Sequence, residues 1–156
     1  MAGKATNYSA GLLALIFQAV TTGGSSLLNT SGFTLAQNGG GTPATSLYVS
    51  LHTADPGASG GNSQSTSEAA YTGYARQAVV RSASGWTLSG QTINNAAAIT
   101  FPQASSGPEV ETYFGIGLES SGATPLLYSG ALTSSLTVNN GITPSFAVDE
   151  LTITET

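Results

Sequence analysis

The chain has 156 residues, 40% of them hydrophobic, and only Lys4, Arg76 and Arg81 are basic, against eight carboxylates and a net charge of −5. That length builds one domain with a real core, and three cations exclude the clustered Lys and Arg from which nucleic-acid binding draws its affinity. Without cysteine there is no disulfide framework and no thiolate metal site.

Charged residues make up 7% of the chain, far below the roughly 25% of an ordinary soluble protein. Abundant Ser, Thr, Gly and Ala suggest disorder, but a mean hydropathy of +0.10 and eleven Phe and Tyr among β-branched residues argue for a folded chain. Repulsion between like-charged molecules helps keep monomers apart. A surface this poor in charge is therefore expected to be covered by partners, including copies of itself.

In chain order, "GLLALIFQAV" (11–20) comes first. It has the length of a signal-peptide core, but it contains Gln18 and runs into "TTGGSS" without a cleavage motif. Leu12, Leu13, Ile16, Phe17 and Val20 form an apolar stripe, which predicts an amphipathic helix with Asn7 or Ser9 as N-cap and Gly23 as stop. A stretch of ten residues is too short to span a bilayer, so no membrane partner is expected. Residues 25–41 read as a glycine-rich arm.

Strand texture begins with "LYVSLHTADPG" (47–57), where Leu47, Val49 and Leu51 alternate with Tyr48, Ser50 and His52 before a turn at Asp55-Pro56-Gly57. Residues 57–70 have almost nothing to bury and read as a mobile or partner-ordered loop. Strands are then predicted at 74–81, in a hairpin over 85–93 turning at Ser89-Gly90, and at 96–101, 112–119, 125–132, 135–147 and 150–155. Their spacing is that of sandwiches and barrels. The expected fold is mainly β: an antiparallel, jelly-roll-like sandwich or barrel with one N-terminal helix. It divides into a helix and Gly/Ser-rich arm (1–46) and a β-domain (47–156).

Candidate chemistry is sparse. His52 and Asp55 lie three apart at a strand end, but nothing marks a nucleophile or an oxyanion site, so no catalytic residues and no small-molecule substrate are expected. His52 is expected beside Tyr48 on one strand face, and Asp55 accepting N–H bonds in its own turn. One histidine cannot build a transition-metal site, although Asp149-Glu150, or Glu109 with Glu111, could contribute to a calcium site. No cofactor is predicted. "GIG" (115–117) lacks the third glycine and the helix of a phosphate-binding turn; its bare face leaves room for another backbone or for an aromatic such as Phe114 or Tyr128. Arg76 and Arg81 are expected to pair with Glu68, Glu119 or Asp149, or to meet an acidic patch on a neighbour. Tyr48, Tyr71, Tyr74, Trp86 and Tyr113 offer the alternative of a carbohydrate-stacking platform.

The ordered series "LYVSLHTADP", "GYARQAV", "AAAITFP", "FGIG", "LLYSGAL", "GITPSFA" and "LTIT", behind an apolar helix, resembles a family of small structural proteins of tailed bacteriophages. Members are commonly labelled tail fibre or virion proteins. The stretch 21–46 is longer and richer in glycine than this family leads one to expect. The resemblance implies a virion location, assembly in the host cytoplasm, and partnership with the major capsid protein or tail proteins, and it implies no catalytic residues. Sparse charge and the lack of a coiled-coil or collagen-like stalk favour a capsid decoration or cement protein over a tail fibre. The interface residues expected are Leu12, Leu13, Ile16 and Phe17 of the helix, with Arg76, Arg81 and the 57–70 loop. An alternative role for the helix face is to cap the open end of the β-domain.

Overall fold

The computed structural model describes residues 6–19, 43–57 and 63–155. Among these, helix α1 (Thr6–Gln18) precedes nine strands: β1 (Ser46–His52), β2 (Gln77–Val80), β3 (Trp86–Ser89), β4 (Thr92–Asn95), β5 (Ile99–Thr100), β6 (Glu109–Gly117), β7 (Leu126–Val138), β8 (Ser145–Phe146) and β9 (Thr152–Thr154). They form a four-stranded sheet in the order β2-β1-β6-β7, a three-stranded sheet β3-β4-β9 and a ribbon β5-β8. Every pairing is antiparallel. The mainly β, sandwich-like fold with one N-terminal helix matches the expectation. No described helix is long and apolar enough to cross a membrane.

One core joins the sheets. Leu47, Val49 and Leu51 of β1, Ile116 of β6, Trp86 of β3, Ile93 of β4 and Ile153 of β9 are all buried in it. Phe17 of α1 bridges the two larger sheets, its ring 4.7 Å from Trp86 and 5.4 Å from Tyr128 of β7. Edge-on contacts of this kind add to the area the rings bury. The face of Leu13, Ile16 and Phe17 thus lies inside the chain's own core, with Leu12 partly buried against it.

α1 departs from the predicted stripe. Residues 13–17 are buried without a break, and a helix covered nearly all round needs no polar face. It starts at Thr6, which places Ser9 within the helix and not at its cap, and it ends at Gln18. Ala19 then takes a left-handed conformation (φ 51°), the backbone geometry that commonly closes helices. The predicted stop, Gly23, and the glycine-rich arm lie outside the described residues, as do positions 58–62 of the predicted loop.

The β3-β4 hairpin turns one residue later than predicted. Ser89 pairs with Thr92, and Gly90, at φ 59°, occupies the first central position, where a type II′ turn wants glycine. Strand β7 merges two predicted strands. Between the pairs Tyr113↔Ala131 and Glu111↔Leu136 the register shifts, so residues 132–135 of β7 face only Thr112 of β6. A strand edge carrying such an irregularity is poorly shaped for extension by another strand.

Candidate functional site

The alternation of β1 puts Tyr48, Ser50 and His52 on the face opposite the core residues. That face would be solvated in an uncovered sheet, yet Ser50 and His52 are both 0% exposed. The cover is the segment from Ser63 to Ala70. Its backbone is tied down by bonds from Thr53 N–H to Ser67 O (2.9 Å), from Ala69 N–H to Leu51 O (2.9 Å) and from Gln64 N–H to Thr124 O (2.8 Å). From it the Gln64 side chain, also 0% exposed, projects over the sheet.

A directed chain of hydrogen bonds runs through this cover. Arg76 Nη1 donates to Gln64 Oε1 at 3.2 Å. Gln64 Nε2 donates to Tyr48 O at 2.7 Å and to Ser50 Oγ at 3.0 Å. Ser50 Oγ lies 2.8 Å from His52 Nε2, and His52 Nδ1 lies 2.9 Å from Thr66 O. The two ends fix the direction. A guanidinium only donates and a carbonyl only accepts, so Nδ1 carries a proton, and in the neutral ring Nε2 accepts from the Ser50 hydroxyl. Burial, the largest influence on His52, lowers its pKa from 6.5 and so favours that neutral form.

The two glycines of "GIG" make room for this chain. A Cβ on Gly115 would lie 2.5 Å from His52 Nε2 and 2.8 Å from Ser50 Oγ, and one on Gly117 would overlap the Gln64 amide. Polar side chains occupy most of the bare face, the Pro125 carbonyl of the backbone comes within 2.9 Å of where a Cβ on Gly117 would lie, and the anticipated aromatic is not there. The ring of Phe114 instead lies against Gly130 of β7.

Arg76 anchors the start of the chain. It forms a two-point ion pair with Glu68, Nε to Oε1 at 2.6 Å and Nη2 to Oε2 at 2.7 Å. It also donates to Glu119 O, Gly122 O and Thr124 Oγ1. The pairing with Glu68 was expected. Tyr74 joins it, donating to Glu68 Oε1 at 3.0 Å while accepting from Leu51 N–H.

Arg81 takes a role that no local pattern announces. It is 8% exposed and donates to the carbonyls of Leu15 (2.8 Å), Ile16 (2.7 Å) and Ala44 (2.6 Å). Leu15 and Ile16 are among the last four residues of α1, whose carbonyls have no partner within the helix. α1 has no basic residue in its own last turn, so Arg81 supplies the positive charge that a helix C-terminus favours.

The remaining candidates are scattered. Asp55 accepts from Gly57 N–H at 2.9 Å, as expected of a turn residue, and Glu150 accepts from Ala147 N–H at 2.7 Å. Glu109 accepts from Ala70 N–H. Its strand neighbour Glu111 is fully buried, and neither of its oxygens has a hydrogen-bond donor. Burial, and secondarily Glu109, push its pKa up to about 7. Among the described residues no group of three or more His, Asp or Glu stands together as a metal site. The stacking platform is not assembled either: Trp86 and Tyr71 are buried, and Tyr71 donates to Pro102 O.

Chemically, a Ser50 hydroxyl on a histidine Nε2, with Nδ1 oriented by an acceptor, has the connectivity of a nucleophile and its base. Here both residues are sealed from solvent, and every polar atom of the chain has an internal partner. The arrangement holds the 63–70 segment on the sheet.

No curated protein matches the chain. A family model described as podophage GP4 fiber I protein gp80 matches residues 17–154, from the ring that joins the sheets to the end of the last strand. On that match, the chain belongs to the podophage GP4 fiber I protein gp80 family.

Proposed function

We propose that this virion structural protein serves in the tail fibre apparatus as a non-catalytic component that binds other tail proteins. The observation that carries this reading is the family match, which takes in nearly the whole folded chain and is described by a fibre protein. Sparse charge and the lack of a stalk favour capsid decoration. The family description supports its alternative, the tail fibre, better. Two features of the chain agree with a structural role: its polar network is closed to solvent, and its buried cations are engaged in holding segments together.

The test is fractionation of purified particles. After heads and tails are separated, quantitative mass spectrometry is expected to find the chain with the tails, at the few-copy stoichiometry of a fibre part. Recovery on isolated heads at the copy number of a capsid lattice would overturn the fibre reading in favour of decoration.

A further inference from the structure

The segment from Ser63 to Ala70 is held on β1 partly by a histidine whose two ring nitrogens have opposite jobs. Nδ1 donates to Thr66 O and Nε2 accepts from Ser50. Only the neutral ring can do both. We propose that His52 is a proton-operated latch: uptake of a solvent proton at Nε2 abolishes the Ser50-to-His52 step of the relay, strands a cation under the cover and releases the 63–70 segment from β1.

The consequences of that proton follow from the geometry. With both ring nitrogens donating, Ser50 Oγ becomes an acceptor from His52 while still accepting from Gln64 Nε2, and its own hydrogen loses its acceptor in a fully buried site. An unmade hydrogen bond there is costly. The new cation also stands in a pocket that cannot solvate it. The groups facing it are Thr66 O and the Glu68 carboxylate from the covering segment, the Arg76 guanidinium before β2, Tyr113, the cross-strand partner of His52 on β6, and Asp55 from the following turn. Glu68 and Asp55 favour the cation and Arg76 opposes it. Glu68 is already engaged by both Nε and Nη2 of Arg76, which limits its help, and burial outweighs the carboxylates. On the sheet side the ring edge packs over Gly115, where even a Cβ would lie 2.5 Å from Nε2. Opening of the covering segment is the route by which the imidazolium reaches water.

This inference does not depend on where in the virion the protein sits, and its test uses the isolated full chain. The His52 ring is titrated by NMR while amide protection is followed at Thr53, Gln64 and Ala69, whose N–H groups hold the segment in place. The protection factors are expected to fall at least tenfold as pH drops from 7.5 to 5, with the same midpoint as the ring and below 6.5. His52→Asn keeps a donor near the Nδ1 position and does not titrate, so its protection is expected to stay flat. Ser50→Ala removes the donor to Nε2 and is expected to raise the ring's midpoint. If either variant fails to fold, coincidence of the two wild-type midpoints decides. Protection that persists while the ring titrates, a ring that stays neutral down to pH 5, or the same loss in His52→Asn would overturn the latch.

Discussion

Glu111→Gln isolates the effect of a single buried proton. Glu111 is 0% exposed, has no donor for either oxygen, and lies beside Glu109, which already accepts from Ala70 N–H. With its pKa raised from 4.5 to about 7, the folded chain keeps the proton through a window in which the unfolded chain has released it. Below pH 4.5 both states hold it and the full stability is present. As pH rises from 4.5 through 7 stability falls, and above 7 the loss is complete. A difference of about 2.5 in pKa, at 1.36 kcal/mol each, comes to about 3 kcal/mol. Glutamine is neutral throughout and its amide can donate to Glu109, so the variant escapes this loss. Urea unfolding from pH 4.5 to 8 is expected to show near-equal stability at the acid end and an advantage of about 3 kcal/mol for Glu111→Gln at pH 8. With m of roughly 2 kcal/mol/M, that separates the midpoints by about 1.5 M. His52 acts in the opposite direction, since burial lowers its pKa and stability is lost as pH falls below 6.5; being common to both proteins, it cancels in the difference. Parallel profiles would refute the reasoning, because they would mean that Glu111 is already ionised or already solvated in the native state.

Gly117→Ala is expected to cost about 1–3 kcal/mol through the clash with Gln64 and with the Pro125 carbonyl, and less in a Gln64→Ala background, where only the carbonyl still opposes the new Cβ, a coupling that a double-mutant cycle by chemical denaturation reads directly. Arg81→Met removes the cap on three carbonyls and is expected to cost about 2–4 kcal/mol; helical amides of α1 should lose exchange protection before those of β1. Arg81→Lys should not restore it, since one ammonium cannot reproduce the spread of a guanidinium. Phe17→Ala, which empties the bridge between Trp86 and Tyr128, is expected to cost about 3–5 kcal/mol in thermal or urea unfolding.

How far the sequence can be read depends on how local the cause is. Leu47, Val49 and Leu51 announce β1 because alternation is a property of neighbours. Gly90 marks its hairpin for the same reason, though the turn's register slips by one residue. The sequence pattern divides β7 between predicted strands 125–132 and 135–147, with Thr133 and Ser134 in the gap, whereas in the sheet residues 132–135 are absorbed by the register shift against Thr112. Arg81 lies 65 and 66 positions from the carbonyls it caps, and no periodicity connects them. Gln64 sits in the Ser- and Gly-rich stretch that reads as loop, and its role follows only when Gly115 and Gly117 are seen across the sheet from it. The usable signal was the pair of glycines: two bare positions on one strand face imply something held close, but they do not say what.

The scarcity of charge, which suggests partners covering the surface, acquires a second meaning from where the cations are. Of the three, Lys4 lies outside the described residues, and both arginines are buried in service of the fold. One clamps the covering segment to Glu68, and the other ties α1 to the rest of the chain. The described surface therefore presents acid without base. Docking onto this surface has to rely on neutral contacts or on basic groups supplied by the partner. Stability should respond differently. Ionic screening reaches exposed charges far more than buried ones, and the main charged contacts here are interior. Urea midpoints are then expected to change little between 0.05 and 0.5 M NaCl, on the order of a few tenths of a kcal/mol, while assembly with a basic partner weakens over the same range. A fold that lost several kcal/mol on adding salt would contradict the interior placement of Arg76 and Arg81, because screening of that size requires charges that water and ions can reach.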